Sequence, residues 1–142
     1  MNSVKTILKG KSSTYWAIQP HAKVIDALRL MADKNVGALM VMDSDQLVGI
    51  ISERDYARKV ALMGKTSVDT PVSDIMESPV WTVTTQQTRE DCMALMTAKR
   101  IRHLPVVDNG HVVNILSIGD LVKDALSEQA QTIQQLESYV NS

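Results

Sequence analysis

Two tetrapeptides carry the residues best suited to chemistry, Ser52-Glu-Arg-Asp55 and Ser117-Ile-Gly-Asp120. Each follows an apolar, strand-like run and opens a helical pattern with no turn between. A serine just before a helix accepts from a first-turn amide, while a carboxylate three residues on accepts in return and suits the helix dipole. A helix start also offers N–H donors to an anion. Arg54 stands beside the first cap, and Arg100, Arg102 and His103 occupy the strand start where the first half has Asn35, Gly37 and Ala38. Guanidinium groups at such a place suit phosphate, and a solvated basic edge explains them equally well.

Other candidate chemistry falls away on spacing. Gly10-Lys11-Ser12 and Gly64-Lys65-Thr66 lack the second glycine five residues earlier that a phosphate loop needs; Lys5 and Lys59 stand there. His21, His103 and His111 are far apart, and a lone Cys92 gives no zinc spacing, so no metal site is expected. Cys92 falls on an apolar helical stripe and reads as a small core residue. With eight Met and no Phe, the interior reads as adaptable packing. No nucleophile–base order, carboxylate pair or dinucleotide fingerprint is present, and the chain is not expected to be an enzyme.

The 142 residues carry 15 Lys and Arg against 16 Asp and Glu, a net charge of −1. That balance gives no overall field toward nucleic acid, so any anion site is local. One cysteine excludes an internal disulfide, no secretion signal is visible, and no apolar run approaches the ~20 residues that span a bilayer. A cytoplasmic chain with no nucleic-acid or membrane partner is expected.

The elements that must position the two tetrapeptides come in duplicate. At an offset of 65 residues, without gaps, Trp16 aligns with Trp81, Asp26 with Asp91, Lys34 with Lys99, Asp43 with Asp108, Ser52 with Ser117 and Asp55 with Asp120. Val4–Leu8 echoes Val72–Met76 at an offset of 68, so the first lead-in is three residues longer. Within each copy a short strand (Tyr15 to Ile18, Val80 to Val83) precedes a helical stripe at Val24, Ala27, Leu28 and Met31 or Cys92, Met93 and Met96. Two strands follow: Ala38 to Met42 and Leu47 to Ile51, or Leu104 to Val107 and Val112 to Leu116. The second pair is joined through Asn109-Gly110, a hairpin signal. Pro105 lacks an N–H and should face a strand edge or an unpaired position. Helices start at Glu53 and Ile118.

The expected fold class is α+β: two pseudo-twofold β-α-β-β-α repeats packed through their sheets, because one such half is too small to hide its apolar faces alone. The expected segments are 1–66 (repeat one with its lead-in), 67–127 (repeat two) and 128–142 (a tail). Gly64 to Pro71 reads as the linker. The tail has a narrow apolar stripe, at Leu126, Ala130, Ile133, Leu136 and Val140, that suits a surface or dimer-contact helix; a solvated end is the alternative.

Taken together, RIRHLPVVDNGHVVNILSIGD and ALMVMDSDQLVGIISERD resemble a tandem pair of cystathionine β-synthase (CBS) domains, the Bateman module, over about residues 1 to 127. The resemblance implies an adenine nucleotide ligand (AMP, ADP, ATP or NAD(H)) bound reversibly in two clefts, with the helix-start Asp on the ribose diol and Ser52 or Ser117 on ribose or phosphate. Carried over by position, it groups Asp55, Ser52, Arg54 and Ile50 with Pro79, Val80, Ile101, Arg102 and His103. It groups Asp120, Ser117 and Ile115 with Thr14, Tyr15, Val36 and Gly37. On that grouping the Asp55 cleft is the more cationic and the stronger site. Asn114, where the family has Gly, obstructs the other cleft, and Lys9 or Lys11 is the available compensation. The resemblance further implies a homodimer and a regulated protein partner. Its rival is a ligand-independent dimerisation or protein-interaction module, for which capping alone explains Ser-x-x-Asp.

Overall fold

The computed structural model describes residues 2–141; Met1 and Ser142, the outer limits of the expected first and last segments, lie outside them. The chain is α+β, in two repeats, the second ending in a long C-terminal helix. Repeat one holds β1 (Ala17–Ile18), α2 (Val24–Lys34), β2 (Ala38–Asp43), β3 (Gln46–Ser52) and α3 (Glu53–Tyr56), preceded by the lead-in helix α1 (Val4–Lys9). Repeat two holds α4 (Arg89–Lys99), β4 (His103–Asp108), β5 (His111–Ser117) and α5 (Ile118–Asn141), preceded by a single 3-10 turn at Val72–Asp74. Trp16 and Trp81 keep the duplication visible in space: Lys34 and Lys99 each sit 4.3 Å over the ring of their own repeat's tryptophan.

Strand pairing follows the apolar runs. β1 lies parallel to β2, and β2 is antiparallel to β3 with Ala38 opposite Ser52. β4 and β5 form the equivalent hairpin, with His103 opposite Ser117. Its turn puts Asn109 and Gly110 both at positive φ, as a two-residue loop of that sequence requires. The expected strand Val80 to Val83 shrinks to one parallel bridge, Val83 to Val106. Pro105 meets its expectation, for its carbonyl accepts from Val83 N–H on that short edge, where no partner needs the missing donor. α3 departs from the sequence reading: after one turn it widens into a π-helical stretch, Ala57–Ala61.

Each repeat builds a core between its helices and one face of its sheet. Val24, Ala27, Met31, Leu39, Val41, Ile51 and Val60 form the first, and Val83, Cys92, Met96, Leu104, Val106, Leu116 and Leu121 the second. Met40 and Pro105, on the opposite faces of β2 and β4, are buried too, so both strands are covered on two sides.

The lead-ins are exchanged. Val4 and Ile7, ahead of repeat one, pack into the core of repeat two; Val72 and Ile75, ahead of repeat two, pack into the core of repeat one. Backbone bonds fasten both crossings. Val4 N–H donates to Gln87 C=O (2.8 Å) and Arg89 N–H to Asn2 C=O (2.9 Å), while Val72 N–H donates to Ala22 C=O (2.8 Å) and Val24 N–H to Thr70 C=O (2.9 Å). Burying a Val or Ile side chain contributes about 1.5–3 kcal/mol, so each exchanged segment is a sizeable share of a small domain's stability.

Ile75→Ala is expected to cost about 2–5 kcal/mol and to reduce amide exchange protection at Val41 and Ile51 in repeat one. Ile7→Ala is expected to do the same at Val106 and Leu116. Hydrogen exchange showing each variant loosening its own repeat instead would refute the exchange.

Candidate functional site

Both helix-start carboxylates are placed by the strand that precedes them. β3 ends at Ser52 in extended conformation, and the next residue turns into the helix. Asp55 N–H donates to Ser52 Oγ (3.2 Å), while Ser52 N–H (2.9 Å) and its hydroxyl (3.0 Å) donate to Asp55 Oδ2. In the second copy Asp120 N–H donates to Ser117 Oγ (3.2 Å) and Ser117 N–H to Asp120 Oδ2 (2.8 Å). The capping chemistry expected of Ser-x-x-Asp is therefore complete at both places. Thr88 and Asp91 make a third such box at the start of α4.

The two carboxylates differ in their cations. Asp55, buried, has its other oxygen Oδ1 3.3 Å from Lys59 Nζ. Lys59 also donates to Glu77 Oε1 (2.8 Å) and to Ile75 C=O (2.9 Å). Burial works against the Lys59 charge, but the bond to Glu77 and the nearby Asp55 outweigh it and raise its pKa. Lys59 in turn holds the Glu77 carboxyl below its usual range.

Asp120, partly buried, takes its cation from the other repeat's lead-in, with Lys11 Nζ 2.6 Å from Oδ2. Burial opposes ionisation of Asp120, yet the bonds from Lys11 and Ser117 prevail and keep its carboxyl below the ordinary value. His103 faces the same charges. Its pKa is lowered by burial first and then by Lys11 and Arg102, against the opposing pull of Asp120.

These contacts regroup the expected site residues. Gly37 C=O accepts from Glu53 N–H (3.1 Å), which fixes Val36 and Gly37 at the Asp55 end with Ile50, Ser52 and Arg54. Arg102 C=O accepts from Ile118 N–H (2.9 Å) and His103 pairs with Ser117, which fixes Ile101, Arg102 and His103 at the Asp120 end with Ile115. The expected grouping placed Arg102 and His103 with Asp55 and Val36 and Gly37 with Asp120; the backbone contacts join each set to the helix start of its own repeat. The physical reason is the hairpin: antiparallel pairing puts the first residue of one strand beside the last residue of the next, within the same repeat. That pairing was available in the sequence as a signal.

The lead-in residues do cross between repeats. Ile50 and Glu77 exchange both backbone bonds (2.8 and 3.1 Å), bringing the segment that continues to Pro79 and Val80 against β3. Met76 lies so close over Gly49 that a Cβ there would collide with its Sδ. On the other side Asn114, at the position of Gly49, donates from Nδ2 to Ser12 C=O (2.9 Å) and accepts Ile115 N–H at its own Oδ1 (2.8 Å). Asn114 thus does with a side chain what the backbone does at Ile50, and it holds the segment leading to Thr14 and Tyr15. Lys59, Glu77 and Asn114 are the polar residues of these ends to which sequence reasoning assigned no such role. At Asp120, Lys11 is paired with the carboxylate and His103 lies within reach of both charges, while Arg102, next to His103 in the chain, is exposed. Arg54 is exposed at the other end.

A family model described as "CBS domain" matches residues 12–62 and 72–127, one match per repeat. The chain is similar to "CBS domain-containing protein CBSX3, mitochondrial" of Arabidopsis thaliana, 40% identical over 140 residues that cover 93% of this chain and 68% of that protein. Among solved structures, a CBS-domain protein from Burkholderia ambifaria MC40-6 superposes with a TM-score of 0.88 at 46% identity, over 90% of this chain and 96% of that one. CBSX2, solved in complex with AMP, superposes with a TM-score of 0.73 at 29% identity, over 91% and 99% of the two chains. No helix among the described residues is long and apolar enough to cross a membrane.

Lys11→Met is expected to raise the titration midpoint of Asp120, read from its carboxyl carbon by NMR. Because the folded-state pKa is depressed, the stabilisation is full above the unfolded value of about 3.9 and is lost as pH falls through the folded value. The variant should accordingly lose less stability on acidification than the parent. An unchanged midpoint would show that Lys11 does not hold Asp120.

Proposed function

We propose that this chain, which belongs to the CBS-domain family, is a regulatory module that reversibly binds an adenine nucleotide (AMP, ADP, ATP or NAD(H)) between its repeats and signals by a change of shape. It carries out no chemistry itself, and acts as a homodimer on a regulated protein partner. The observation that carries this reading is the AMP complex of CBSX2, whose fold runs through nearly the whole of this chain. Duplicated carboxylates at two helix starts, each approached by the other repeat's lead-in, support it.

We assign the stronger site to the Asp120 end. There Lys11 and Arg102 supply positive charge for a phosphate, and Asp120 and Ser117 supply acceptors for a ribose diol, with Thr14 and Tyr15 on the adjoining strap. A carboxylate accepting from two hydroxyls makes charge-assisted bonds of about 1.5–3 kcal/mol each. Asp55, with one oxygen in its cap and the other on Lys59, is the weaker site, where Pro79 and Val80 adjoin. A nucleotide diol reaching Asp120 competes with Lys11, which is rooted just after α1. Binding therefore releases the lead-in from one partner and offers it another, and this differential contact is what a ligand needs to shift an equilibrium.

One observation favours the rival reading of a ligand-independent interaction module. Both carboxylates complete capping boxes indistinguishable in kind from that of Asp91, so capping suffices to explain them. Calorimetry decides between the two. Saturable heat with AMP, ADP, ATP or NAD(H) is expected, together with a rise in melting temperature corresponding to about 2.7 kcal/mol at 100-fold over the dissociation constant. Asp120→Asn should weaken binding by about tenfold or more, and Asp55→Asn by less. His103 should titrate higher on AMP binding, as a phosphate dianion favours its charged form. Absence of heat and of a melting shift with all four nucleotides would leave the interaction module.

A further inference from the structure

α5 runs unbroken for 24 residues, about 36 Å, and two of its faces have different fates. One is built into the body: Leu121 is fully buried, and Arg89 of α4 donates to Asp124 (2.9 Å) and to Glu128. The other carries Val122, Leu126, Gln129, Ile133, Leu136 and Val140, spaced 4, 3, 4, 3 and 4 residues apart, the a/d register of a coiled coil. Its apolar members are 44%, 61%, 55%, 60% and 80% exposed. With Leu126 at a, the residues facing the body fall at c and f, diametrically across the helix from this seam, so the seam points away from its own fold.

We infer that residues 122–140 pair antiparallel with the same helix of a second copy; this deepens the homodimer reading above and rests on it. Self-complementarity chooses the occupant and its direction. Antiparallel registration about residue 131 sets Val122 on the partner's Val140, Leu126 on the partner's Leu136 and Gln129 on the partner's Ile133. At the flanks Lys123 then meets the partner's Glu137, twice by symmetry, and the small Ala125 meets the partner's Tyr139. The two Gln129 amides fall about 6 Å apart along the axis, within reach of each other. Parallel pairing would instead set Lys123 and Glu137 against the partner's Ile118 and the partner's Thr132, with no charge matched. Flanking charge is what sets orientation in such seams.

The test uses the full chain carrying Leu126→Cys or Leu136→Cys, oxidised singly and as an exchanged equimolar mixture. The mixture is expected to yield a disulfide-linked dimer and neither variant alone, because like positions lie about 15 Å apart along the axis. In sedimentation equilibrium Lys123→Glu should raise the dimer dissociation constant about tenfold, and adding Glu137→Lys should restore it. Cross-linking of Leu126→Cys alone would overturn the antiparallel pairing. A parental chain that sediments as a dimer while no variant or mixture cross-links would overturn the seam and spare the homodimer; a monomeric parent would overturn both.

Discussion

Each repeat of this chain closes its core with apolar residues that belong to the other's lead-in, and the remaining architecture depends on that exchange. Val4 and Ile7 seal the second core, Val72 and Ile75 the first. A half with two or three short strands is too small to be stable alone, and exchange makes the two halves one cooperative object. The same crossings lay a strap over the last strand of each repeat, at Gly49 in one and Asn114 in the other. Position, stability and access to the helix starts are therefore controlled by the same few residues.

The duplicated helix starts are alike in capping and opposite in how charge is supplied. Four residues beyond Asp55 stands Lys59, which neutralises it from within the helix; four residues beyond Asp120 stands Asp124, which turns instead to Arg89 and Asn2. Asp120 is left to take its cation from Lys11 across the strap. An acid neutralised by its own helix is hard to recruit elsewhere. One neutralised by a lysine on another segment can change partners when that segment moves.

Much of this was legible in residue order. The 65-residue repeat, the hairpin at Asn109-Gly110 and helix starts at Glu53 and Ile118 follow from local rules of period, turn and cap, and all are present. What escaped was non-local or marginal. The first strand of each copy is two residues long or a single bridge, because its neighbour, not its own composition, decides whether it pairs. The tail is the unbroken continuation of α5, since nothing in its composition stops a helix once Leu121 and Arg89 have anchored it. The placement of Ala38 opposite Ser52 and of His103 opposite Ser117 was recoverable from hairpin arithmetic. The exchange of lead-ins left no trace in residue order beyond the echo of Val4–Leu8 and Val72–Met76, which shows two similar segments and not where they go.

Exchange also bears on the order in which the protein is made. Repeat one emerges from the ribosome just ahead of Val72 and Ile75, so its core is incomplete until they follow, and Val4 and Ile7 emerge first and wait for a receptor synthesised last. The first core can therefore close once the chain is free to Ile75, whereas the second, which needs Leu121, closes only when most of the chain is out.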